Sequence, residues 1–131
     1  MGLDTYARRG PEEDLTAEDG QAFEAAGIEL CGGIFSGGGG SFRGKVYDDL
    51  ILEITGVSLY QEWIPPETVR EMYQALADCE PEETLQEAEA EGRFWNEHST
   101  DEIVELRAFV RVCAERGLGL AGWWEERPTC N

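Results

Sequence analysis

The two ends of the chain read as strands, and most of what lies between them reads as helix. Residues 2–7, GLDTYA, alternate Leu3, Thr5 and Ala7 with Asp4 and Tyr6, the period of a short half-buried strand. Residues 118–124, LGLAGWW, form a final apolar run after a glycine stop. A further strand is expected over 27–33, GIELCGG, with Ile28 and Leu30 on one face. Regular β-α-β alternation is absent. Separated strands around a helical block predict an α+β fold: a small mixed sheet of about three strands against three to five helices. At 131 residues the chain is expected to form one domain, 1–131.

Start and stop signals place the helices. Thr16 caps a helix running to about Ala26, with Asp19 near the capping-box position and Gly27 as the stop. Val46, Tyr47, Leu50, Ile51 and Ile54 make one apolar stripe of a helix that Gly56 ends. Residues 57–63 read as a connection or short strand. Pro65 and Pro66 then open a helix buried through Val69, Met72, Tyr73 and Leu76. Residues 80–92 are helical but nearly all polar, so they read as a solvated helix held at its ends or a mobile excursion. Ser99-Thr100-Asp101-Glu102 is a capping box, followed by the stripe Ile103, Leu106, Val110 and Cys113 and a stop at Gly117.

Composition excludes several classes of function. The net charge is −18, from 28 acids against 10 bases. Such a field repels nucleic acid and anionic membrane, so direct contact with either is not expected. The 41% hydrophobic content and four tryptophans oppose disorder. No apolar run approaches the roughly 18–20 residues of a membrane span, and MGLDTYARRG lacks a signal-peptide core. A cytoplasmic location is expected. Cys31, Cys79, Cys113 and Cys130 show no C-x-x-C spacing, so free thiols are expected and metal is not. His98, the one histidine, precedes the Ser99 cap and reads as a polar turn residue. No catalytic constellation and no cofactor is expected.

GGGGSFRGKV, residues 37–46, is the segment with chemical content. Residues 39–46 fit G-x-x-x-x-G-K-[ST] except at Val46, which cannot ligate magnesium. Phosphate binding without hydrolysis needs less. Glycines Gly37, Gly38, Gly39 and Gly40 let backbone N–H groups converge, Ser41 could cap the next helix, and Arg43 and Lys45 add charge. Trp63 or Trp95 would stack a base. The plainer reading is a solvated turn whose Arg43 and Lys45 pair with neighbouring acids.

MGLDTYA, CGGIFSGGGGSFRGKVY and SLYQEWIPPETVREMY together resemble a group of short bacterial and phage proteins of uncharacterised function. The resemblance covers most of the chain. It implies a phage or mobile-element origin and carries no activity, cofactor or site.

Two functions from different classes follow. One is a non-enzymatic binder of a phosphorylated small molecule or nucleotide, of the sequestering type if the origin is phage. The other is an acidic interaction or nucleic-acid-mimic module that docks on a basic protein through residues 80–91 and the negative field. Pairing of the final strand across subunits, giving a homo-oligomer, is compatible with both.

Overall fold

The structure, a computed structural model, describes residues 3–28, 41–92 and 98–124. In chain order the elements are β1 (Leu3–Arg8), α1 (Ala17–Ala26), β2 (Ser41–Phe42), α2 (Gly44–Thr55), β3 (Trp63–Ile64), α3 (Pro66–Asp78), α4 (Pro81–Ala90), α5 (Thr100–Arg116) and β4 (Gly119–Trp124). The class is α+β, with five helices and one sheet among the described residues.

The sheet has four strands in the order β2-β1-β4-β3, every pair antiparallel. The chain-terminal strands are its centre, in register from Leu3 opposite Trp124 to Arg8 opposite Gly119. The sheet has one strand more than the expected three or so, and it is antiparallel rather than mixed. The edge strands β2 and β3 have two residues each, too few to show an alternation in sequence. The strand expected over 27–33 falls largely outside the described residues. Gly27 is the left-handed C-cap of α1, and Ile28 belongs to no strand.

Directly paired residues of an antiparallel sheet share a face. Leu3, Thr5, Ala7, Phe42, Ile64 and Leu120 therefore share one, and all are buried. Asp4, Tyr6, Arg8, Ser41, Trp63, Ala121 and Trp123 share the other. α2 contacts β1, α3 contacts β4, and α5 contacts α1, α3 and α4. Phe109 of α5 is a ring hub: its centroid is 4.8 Å from Phe23 of α1 and 4.9 Å from Phe42 of β2. Helix 81–90 is held by Leu85 and Ala88, its two buried residues, and its α5 contact. Arg107 of α5 reaches back to the C-terminus of α3, donating from Nε to the Leu76 carbonyl at 2.9 Å and from Nη2 to that of Cys79 at 3.3 Å.

Asp19 closes the fold. Its side chain has no solvent exposure. Arg9 donates to it twice, at 2.7 and 2.8 Å, and Arg116 Nε donates at 2.7 Å. It also completes the α1 capping box, accepting the Thr16 N–H at 2.9 Å. Burial pushes its carboxyl pKa up, but the Arg9, Thr16 and Arg116 hydrogen bonds outweigh this and hold it well below the ordinary 3.8.

Two glycines mark close approaches. A Cβ on Gly44 would collide with Thr5 Oγ1 and stand 2.9 Å from Leu3 Cδ2. A Cβ on Gly119 would stand 2.5 Å from both the Ile64 carbonyl oxygen and the Trp63 ring. Gly20, inside α1, has open space around it.

Asp19→Asn should cost about 3 kcal/mol in urea unfolding at neutral pH, because two guanidinium groups lose their carboxylate. The lowered carboxyl makes this stabilisation complete above the unfolded value near 3.8. The gap between wild type and variant should therefore narrow as pH falls below it. Gly44→Ala should destabilise by roughly 1–3 kcal/mol through overpacking, whereas Gly20→Ala should stabilise by roughly 0.5–1 kcal/mol through helix propensity. Thermal melts of the two variants check the opposite signs.

Candidate functional site

The start of α2 is set by the sheet. β2 pairs with β1 through Phe42 opposite Thr5, then the chain turns directly into the helix. Arg43 is the N-cap, with φ −79° and ψ 97°, and contributes no side-chain hydrogen bond. Gly44 is buried against Thr5 and Leu3, which leaves Arg43 and Lys45 exposed on either side of it. Neither makes an ion pair among the described residues.

The charge pattern of this helix differs from the rest. α1, α3, α4 and α5 each carry an acid in the first turn, where the helix dipole favours it. α2 carries none and has Lys45 there instead. Its positive end is therefore not neutralised by its own first turn. Thr5, only 1% exposed, lies against that turn with an Oγ1 that has no hydrogen-bond partner. A helix start of this kind, flanked by two exposed bases, is where the dipole favours negative charge.

The residues expected to form the site separate into three groups. Arg43 and Lys45 are brought together at the start of α2. Ser41 is not the N-cap; it lies in β2 opposite Tyr6, and its buried Oγ is unpartnered on the sheet face away from Thr5. Trp63 shares a cross-strand row with Ser41, Tyr6 and Ala121, but from the opposite edge of the sheet. Three strand spacings, about 14 Å, separate those edges. The structure does not bring Trp63 together with Arg43 and Lys45. Gly37, Gly38, Gly39, Gly40 and Trp95 lie outside the described residues.

One turn further along α2 is a cluster the sequence reading missed. His98, read as a polar turn residue, is buried. Its Nε2 is 2.7 Å from Asp49 Oδ1 and its Nδ1 is 2.9 Å from Glu102 Oε2. Carboxylate oxygens only accept, so a ring nitrogen that carries a proton donates to the carboxylate it faces. Glu102 also closes the α5 capping box by accepting the Ser99 N–H at 3.0 Å. Both nitrogens face carboxylates, so the ring bridges Asp49 of α2 and Glu102 of α5. The i,i+4 spacing of His98 and Glu102 was visible in sequence, but Asp49 lies too far along the chain to show.

Neighbouring Asp48 accepts the Leu59 N–H at 2.6 Å and the Ser58 hydroxyl at 3.1 Å. Burial, opposed by those hydrogen bonds, raises its carboxyl above the ordinary value. Burial likewise pushes the Cys113 thiol far up, which removes it as a nucleophile. A shallow groove of about 430 Å³ is lined by Glu67, Arg70, Glu71 and Tyr73 of α3 with Glu115 of α5. Among the described residues no helix is long and apolar enough to cross a membrane.

Comparison with known protein families, with curated proteins and with solved structures returns no match.

The raised Asp48 carboxyl means that folding becomes less favourable as pH rises through its titration. Asp48→Asn, which keeps the acceptor for Leu59, should therefore gain stability relative to wild type between pH 4 and pH 7. Paired urea titrations at the two pH values measure the trend, and a gap moving the other way refutes it.

Proposed function

We propose that the protein is a non-enzymatic binder of a phosphorylated small molecule, with the phosphate held at the start of α2 by Arg43, Lys45 and the helix dipole. The observation that carries this reading is the unneutralised first turn of α2 in a chain of net charge −18. Arg43 and Lys45 are exposed and without ion partners among the described residues, so an anion displaces no existing pair. Charge-assisted hydrogen bonds from these side chains are the strong kind. Sequestration of the ligand is the role that fits binding without chemistry.

A second reading rests on α4. Leu85 and Ala88 are its buried residues, while Glu82, Glu83, Glu87 and Glu89 are exposed. That surface suits a basic protein partner, in the manner of a nucleic-acid mimic.

Heating the purified protein and identifying released small molecules by mass spectrometry tests the first reading, followed by rebinding. Arg43→Ala with Lys45→Ala should abolish rebinding and move the melting temperature by less than about 2 °C, since both side chains are exposed. Undiminished rebinding in the double variant refutes the site. The second reading requires a partner whose affinity falls steeply between low and physiological salt. Glu82, Glu83, Glu87 and Glu89 changed together to Gln should remove that dependence.

A further inference from the structure

A buried hydroxyl ordinarily finds a partner, because leaving it without one costs stability. Thr5 of β1 is an exception. The residue is 1% exposed, and its Oγ1 has no hydrogen-bond partner. Of all side-chain atoms, this Oγ1 lies nearest to where a Cβ on Gly44 would stand. The orphan hydroxyl therefore lies against the first residue of α2. A Cβ stands about 2.5 Å from its own amide nitrogen, which places Oγ1 within about 5 Å of the Gly44 nitrogen. One oxygen atom at ordinary hydrogen-bond length from each accepts from two donors that far apart.

We propose that Thr5 is a binding residue of the anion site: its hydroxyl and the first-turn amides of α2 share one oxygen of a phosphate group, while Arg43 and Lys45 meet the others. The inference rests on the reading of the α2 start as that site.

The donors lie at different depths. Arg43 and Lys45 are exposed. The first amides of a helix have no acceptor within it, and the Arg43 side chain caps none of them. Thr5 stands behind these amides, paired with Phe42 across the sheet. Its hydroxyl is shielded from water, so a ligand oxygen reaches it through a local opening where β2 passes into α2. That junction is lightly held. β2 has two residues, and they make two pairs with β1. Ser41, the other residue with an unpartnered buried hydroxyl, is one of those two. Short, poorly satisfied segments of this kind open locally at low cost.

A hydroxyl that serves a ligand and one that serves the fold respond oppositely to removal. Thr5→Val deletes the hydroxyl and keeps the branched shape. It should raise the melting temperature by about 3–5 °C, because an unpaired polar group leaves the core. It should also weaken the binding of inorganic phosphate about tenfold, measured by calorimetry at low ionic strength. Thr5→Ser keeps the hydroxyl and should bind phosphate as the wild type does.

A Thr5→Val variant that binds phosphate as tightly as the wild type overturns the role of Thr5 and leaves the Arg43–Lys45 site standing. A Thr5→Val variant less stable than the wild type assigns the hydroxyl to the fold and overturns the proposal too. Equal loss of binding in Thr5→Val and Thr5→Ser marks a packing effect, with the same consequence. A wild type that binds no phosphate overturns the site reading itself, and the role of Thr5 with it.

Discussion

A carboxylate with no contact with water, Asp19, is the point through which the rest of the fold is tied. It receives Arg9 from the end of β1, Arg116 from the last residue of α5, and the N-cap amide of its own helix. Arg116 is followed by Gly117 in the left-handed conformation, and β4 begins two residues later. The ion cluster thus sits where the helical layer passes into the sheet, and it fixes where β4 enters beside β1. A buried carboxylate without those donors would be costly, and with them it is held ionised. Its partners lie 10 and 97 residues away, so this interaction forms only when the chain is folded as a whole.

The same acidic excess shapes the surface. Four helices place acids in their first turns, which neutralises their positive ends. α2 cannot do so with its first residue. Position 44 must be glycine, because Thr5 and Leu3 leave no room for a side chain. The flanking Arg43 and Lys45 then project to solvent. A packing constraint inside the molecule and a charge arrangement outside it are consequences of the same contact between β1 and α2.

His98 extends this coupling to α5. A histidine at a helix cap is ordinarily solvated, yet here its ring fills a buried position because two carboxylates from different helices offer it acceptors. Glu102 thereby serves the α5 cap and the histidine together. Asp49 of α2 and Glu102 of α5 are thereby joined through one imidazole.

Much of the local structure was written in the sequence. Thr16 with Asp19, Ser99 with Glu102, the paired prolines 65 and 66, and Gly27, Gly56 and Gly117 placed three helix starts and three stops correctly, because capping chemistry acts within four residues. The stripes of α2, α3 and α5 located the core for the same local reason. What only the tertiary structure decided depends on contacts between distant residues. Two-residue edge strands carry no period of their own and exist because β1 and β4 offer them partners. Ser41, read as a cap, was claimed by β1 instead. His98, read as a polar turn residue, is buried against Asp49, 49 residues away. Of the residues expected to bind phosphate, Arg43 and Lys45 stood together because sequence neighbours on one helix stay neighbours. Trp63 did not join them, because strand order is settled by which apolar faces pack, and that is a property of the whole chain.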